Sequence, residues 1–459
     1  MIKFIRLVRN EYIKLMMKAS TWVMLAILVI SCIGVSVISL IAKNQYESYN
    51  MYDTVDVEEN YKSEIEYIKE VKTDGWETEI ELNQYLLDNK IYNDWRVDAA
   101  HIMFELKYNA GDYGIENAEE IVRKIDSAIS DMDWKSYFRT AIDLYERSDE
   151  LNDNSGGMIQ IYQYCLDNAV APYDKNWKFG VLSELEGSRA KLKAMEESKA
   201  SGEAVESSEM EQLSDSVKKY EYRLKNNIDF DVSENNSIID GNYNFWSVFS
   251  SSTAMEIFIS VIVIIVAGGI VSSEFSSGTI KFLMINPVKR WKILASKYFT
   301  VITFGFLLMA AVYVISILSS LTFFGADHIG ASYISVSVDN VREISGFVYV
   351  AGIYLIKSVN MIVMGSLAFA ISSLFRSSAL AIGISVMALF GGETITMILS
   401  QMQFDWGRYL IFSNVDLHSI AVGDSMFAGQ TVLGALIVIA IHMIIFLLTA
   451  WDGFTRREV

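Results

Sequence analysis

Thr21–Ala42 reads TWVMLAILVISCIGVSVISLIA, twenty-two residues without a charge. A helix of this length, rising about 1.5 Å per residue, reaches across a ~30 Å hydrocarbon core. No water in that core satisfies the backbone, so the segment must be a helix whose bonds close on themselves. Runs of the same grade recur near Trp246–Val271, Tyr298–Phe324, Phe347–Leu374, Ser377–Ser400 and Gln430–Trp451. The pattern predicts an all-α, polytopic membrane protein with six transmembrane helices. A cleaved secretory signal is the rival reading of the first run. That run is too long for one, and no small-x-small cleavage pattern follows it.

Basic residues in short loops give the orientation, because Lys and Arg collect on the cytoplasmic side. Lys3, Arg6, Arg9, Lys14 and Lys18 precede the first span, and Lys281, Lys289, Arg290, Lys292 and Lys297 lie between the second and third. Arg376 follows the fourth span, and Arg456 and Arg457 follow the sixth. The alternate short loops, Gly325–Gly346 and Gln401–Gly429, hold only Arg342 and Arg408. Both termini are therefore expected in the cytoplasm, and 43–245 outside the cell.

That insertion carries 22 Lys and Arg against 44 Asp and Glu, or −22, whereas the rest of the chain carries 16 − 12 = +4. An acidic surface of this kind argues against nucleic acid as a partner. Its patterning is mostly helical. Met210, Leu213, Val217, Tyr220 and Leu224 repeat at spacings of three and four, with Leu182, Leu185 and Leu192 suggesting a partner helix across the polar link Ser198–Ser208. Breaks are expected at Asp74-Gly75, Gly111–Gly114 and Ser155-Gly156-Gly157. At its end, Tyr243, Phe245, Trp246 and Phe249 suit an interfacial aromatic belt.

Neither H-E-x-x-H nor G-x-S-x-G occurs, and the four histidines are scattered, so no enzyme or metal site is expected. Cys32 lies inside the first span and Cys165 in the insertion, too far apart to pair. Four ionisable residues fall inside spans: Glu256, Lys357, Glu393 and His442. Such groups are functional candidates because exposure to lipid is costly. Counting residues puts Glu256, Lys357 and Glu393 in the same outer half of the membrane. There Lys357 can pair with Glu256 or with Glu393, as a structural lock or as part of a pathway.

The N-terminal stretch MIKFIRLVRNEYIKLMMK is amphipathic, with Ile5, Val8, Tyr12 and Met16 along one side. It is expected to lie in the interface as an elbow before the first span. Ser272–Phe299 reads SSEFSSGTIKFLMINPVKRWKILASKYF, in which Glu274 is followed by Gly278-Thr279, Pro287, Arg290 and Lys297. This order resembles the first cytoplasmic loop of the permease subunits of ABC-2 type ATP-binding-cassette transporters, where Glu-x-x-x-Gly-Thr precedes a Pro, a basic residue and a Lys. The resemblance covers about 1–42 and 246–459 and leaves the external domain outside it. With the hydropathy and charge pattern, the expected division is an elbow at 1–18, the first span at 19–42, an extracellular domain at 43–245, and five further spans at 246–459. Within the last segment the resemblance implies a coupling loop at 272–297 that docks on a separate ATPase.

No G-x-x-x-x-G-K-[ST] phosphate loop is present, so ATP and Mg would be bound by that partner, in two copies, and this chain would hold no cofactor. Six spans are half of the usual twelve, which implies a second permease copy or a homologous permease in the lipid membrane. A bacterial plasma membrane is the expected location. The function so implied is export of an amphipathic or lipid-like substrate, with a cationic antimicrobial peptide as the first guess. The alternative is a membrane-anchored receptor or adhesion protein whose external helical domain binds a partner without ATP-driven transport.

Overall fold

The charge-free run becomes the opening of one helix, Ala19–Val71, which continues well beyond the last apolar residue of the span. Neither Gly nor Pro occurs between Lys43 and Val71, so nothing in the sequence stops the helix where the hydrophobic run ends. The computed structural model in which this is seen describes residues 2–72, 75–111, 113–147, 157–172, 176–202, 205, 207–234, 243–276, 288–337, 340–375, 377–423 and 425–455. Among these, six helices are long and apolar enough to cross a membrane: Ala19–Tyr46, Phe245–Phe275, Arg290–Phe324, Gly346–Leu374, Ser378–Gln401 and Val432–Thr455. The protein is a helical, multi-pass membrane protein.

The chain divides into two compact units. One comprises Met1–Lys43, Val232–Tyr333 and Ile344–Val459; the other comprises Asn44–Asp231 and Ile334–Glu343. The residues just before the second span thus group with the spans, and the short later segment Ile334–Glu343 groups with the insertion.

In the first unit the second, third and fourth spans pack on one another, and the sixth packs on the fourth. Glycines permit the close approach. A Cβ on Gly305 would lie 2.5 Å from Met361 Sδ, and one on Gly365 would lie 2.8 Å from Val263 Cγ1. The second span starts at a capping box in which Asn244 accepts from the Ser247 N–H and the Ser247 hydroxyl accepts from the Asn244 N–H.

Phe245, Trp246 and Phe249 do not form the expected belt. All three are fully buried, packed on one another and on Phe347, and the Trp246 indole donates to His328 O at 2.7 Å. Their area is removed from solvent and lipid alike by the fourth span, which starts at Gly346 directly against the Trp246 ring.

The second unit is built around an apolar cluster that includes Leu86, Ile91, Ile125, Phe138, Leu144 and Tyr162. Helix Ala118–Ser130 presents Ile121, Ile125, Ala128 and Ile129 to it at helical spacing. Phe138 stacks on Tyr162 with ring centroids 3.9 Å apart. Helices Trp177–Ala200 and Ser207–Asn226 pack together as the leucine spacing predicted. Arg189 ties them by donating to Glu221 of the second helix while also donating to Glu186 of its own, both at 2.5 Å.

The break expected near Asp74-Gly75 is found at Gly75, whose φ of 81° suits a residue without a Cβ; Asp74, like Ser155 and Gly156, lies outside the described residues. A two-stranded hairpin, β1 (Ser332–Ser337) and β2 (Asn340–Ser345), interrupts the otherwise helical pattern. Its period-two signal is present in Ile334 and Val336, separated by Ser335.

Candidate functional site

Lys297 sits about two turns into the helix Arg290–Phe324, and its side chain is wholly buried. A buried ammonium requires anionic partners, and two are present. Lys297 Nζ lies 2.8 Å from Glu11 Oε2 and 2.8 Å from Glu274 Oε1, and it also donates to Ile270 O at 3.3 Å. Lys14 closes the arrangement from the rim, 3.0 Å from Glu274 Oε1 and 3.3 Å from Glu11 Oε1. Burial alone would lower the Lys14 ammonium, but the Glu11 and Glu274 carboxylates outweigh it and hold it above the usual lysine range. Among the described residues, two carboxylates and two ammoniums thus form a knot whose formal charges cancel.

Three segments meet there. Glu11 and Lys14 come from the N-terminal helix Ile2–Met16, Glu274 from the short helix Ser272–Ser276 that ends the second span, and Lys297 from the third span. The N-terminal helix is also held to the third span by Tyr12, whose hydroxyl is 2.6 Å from Thr303 Oγ1, and by the edge-on contact of Phe4 with Phe299. The end of the second span is fastened to the fourth through Ser372, whose hydroxyl accepts from the Ser272 N–H and donates to Gly268 O.

Of the loop residues singled out in the sequence, Glu274 and Lys297 are therefore brought together. Arg290 is elsewhere, donating to Thr455 O at 3.1 Å. Gly278, Thr279 and Pro287 lie outside the described residues.

Glu11 was not anticipated. The expected apolar seam through Ile5, Val8, Tyr12 and Met16 is displaced around the helix: Ile5 is exposed, whereas Glu11 and Leu15 are buried. The available signal was that Glu11 is the sole acid in a strongly basic amphipathic helix, four residues before Leu15.

The intramembrane candidates are arranged differently from the expected ion pair. Glu256 Oε1 accepts from the Ser260 hydroxyl at 2.5 Å and from Asn360 Nδ2 at 3.3 Å. No salt bridge joins Lys357 to Glu256 or Glu393 among the described residues, and Glu393 is exposed. Asn360, one turn beyond Lys357, supplies the neutral partner instead. His442 uses Nδ1 for Val438 O in its own helix, a local contact that brings no second span with it. Among the described residues no group of three His, Cys, Asp or Glu has the geometry of a metal site.

A family model described as "Protein of unknown function (DUF2705)" matches residues 220–459. The uncharacterized protein YhcI of Bacillus subtilis (strain 168) is 37% identical over 241 residues, covering 52% of this chain and 74% of that protein. The uncharacterized membrane protein YdbK of the same organism is 34% identical over 217 residues, covering 47% of this chain and 84% of its own length. No solved structure matches the chain.

Proposed function

This chain belongs to the DUF2705 family, and we propose that it is the membrane-spanning subunit of an ABC-2 type exporter driven by a separate ATPase. The observation that carries the reading is the buried contact of Lys297 with both Glu274 and Glu11. It fixes the two ends of the loop after the second span to the N-terminal helix, so a push on that loop moves three segments together. A rigid, internally compensated junction at the base of the spans is what a subunit needs if force arrives from another polypeptide.

In this reading both termini and the loop face the cytoplasm, the acidic insertion is extracellular, and two copies of an ATPase bind ATP and Mg. A second permease copy or a homologue completes the transporter. The chain performs no bond chemistry itself. Its substrate is amphipathic or lipid-like, with a cationic antimicrobial peptide as the first to test; resistance to such a peptide would then be the cellular role.

The test is affinity purification of the tagged protein from its native membrane. A co-purifying ATPase, with hydrolysis stimulated by a cationic peptide, is expected. Retrieval of no ATPase, together with unchanged peptide tolerance in a deletion strain, would overturn the reading.

A further inference from the structure

A cavity of about 700 Å³ opens between the N-terminal helix, the start of the first span and the end of the second. Its size is that of a lipid- or drug-sized ligand site. The lining changes character along its length. Glu11, Lys14, Lys18 and Glu274 are its charged lining residues, whereas Met24, Ile265 and Gly269, farther along the two spans, are apolar. From Ser273, which also lines the cavity, back to Ile265 is eight residues, or about 12 Å of helix, most of one hydrocarbon half-thickness.

Two features select the occupant. Glu11 and Glu274, which also line the cavity, are balanced by Lys14 and by Lys297 buried behind them, so exposed Lys18, which makes no ion pair among the described residues, leaves the polar end one positive charge in excess. Gly269 leaves the apolar end open: a Cβ built on it would meet nothing within 4 Å. A cationic rim at the start of a span, continuous with an apolar slot that runs along two spans, is complementary to one molecule class in particular. That class has an anionic head and a hydrocarbon tail, and the surrounding bilayer supplies it.

We propose that the cavity is a binding site for one anionic phospholipid, with its phosphate at Lys18 and one acyl chain between Met24 and Gly269. The proposal does not depend on the transport reading. It makes the lipid a structural ligand of the junction formed by Glu11, Glu274 and Lys297, separate from any cargo.

The test uses the full-length protein, delipidated in mild detergent and offered phosphatidylglycerol and phosphatidylcholine at equal mole fractions. Native mass spectrometry then counts the adducts that survive collisional stripping. One retained phosphatidylglycerol is expected, favoured over phosphatidylcholine by about fivefold, the attraction of one lysine near an anionic head group. Lys18→Gln is expected to bring that preference close to unity, and Gly269→Leu to remove the retained adduct by filling the slot. Met24→Trp fills it from the opposite wall and serves if Gly269→Leu does not fold. Equal retention of both lipids by the unaltered protein would overturn the proposal, as would an adduct that persists in a folded slot-filling variant.

Discussion

Glu11 and Lys297, 286 positions apart in the chain, meet at 2.8 Å with both side chains buried. Their contact joins the N-terminal helix to the third span at the point where Glu274 also arrives. A charge is stable there only while its partners remain. Lys297→Met is therefore expected to destabilise the protein by about 3–5 kcal/mol, because two carboxylates lose the ammonium buried between them. Thermal unfolding in detergent measures this. Adding Glu11→Gln and Glu274→Gln should restore most of the loss, and a single variant that melts with the unaltered protein would show the carboxylates to be solvated.

Under the transport proposal, Glu274→Gln should leave the protein inserted and able to bind its ATPase while peptide-stimulated hydrolysis falls. The change keeps size and hydrogen bonding but removes the charge that holds the loop to Lys297. Hydrolysis and transport both at the unaltered level, with equal expression, would separate this contact from coupling.

In the spans, Asn360→Leu should cost more than Lys357→Met. The first removes the amide that donates to buried Glu256, a loss of about 1–3 kcal/mol, while the second breaks no ion pair among the described residues. Melting temperatures of the two variants decide the order.

Cys165 provides a reporter for the second unit. Burial pushes its thiol from the ordinary 9.0 up to about 12, so in the folded protein the reactive thiolate is suppressed throughout the neutral range. Alkylation at pH 8 should follow unfolding of this unit. Phe138→Ala, which removes the ring stacked on Tyr162, should accelerate it by lowering stability about 3–5 kcal/mol. The folded state holds the thiol proton between about pH 9 and pH 12 where the unfolded state has lost it. This contribution to stability is thus complete below pH 9 and is lost as pH rises toward 12.

The spans and the helical insertion were legible because hydrocarbon excludes charge and because a helix repeats its apolar face. Glu274 and Lys297 were legible from their order in the loop. Glu11 was not, since a carboxylate on an amphipathic helix reads as surface until the cation that compensates it is known, and that cation lies in a distant span. The same limit applies to Glu256: counting residues along the fourth span came within one turn of Asn360, but depth does not give the direction in which a side chain points. The aromatic residues at 245–249 were misread for a related reason, as composition cannot tell a ring facing lipid from one facing a neighbouring helix. The continuation of the first helix to Val71 required attention to the missing Gly and Pro instead of to hydrophobicity.

Gly346 makes a further expectation specific. A Cβ there would lie 2.5 Å from Trp246 Cη2 and 2.8 Å from Val232 Cγ2. The indole is rigid and fixed by His328, so it has little room to yield. Gly346→Ala should lower the melting temperature, whereas Gly352→Ala, which meets open space, should not.

The balance of two carboxylates against two ammoniums has a mechanical consequence. Sliding the N-terminal helix away from Lys297 carries Glu11 and Lys14 with it, so the Glu11–Lys297 and Lys14–Glu274 contacts are lost at once while Glu11–Lys14 and Glu274–Lys297 remain. Under the transport proposal, such a junction resists small displacements and yields only to a stroke that breaks both contacts between the N-terminal helix and the spans together.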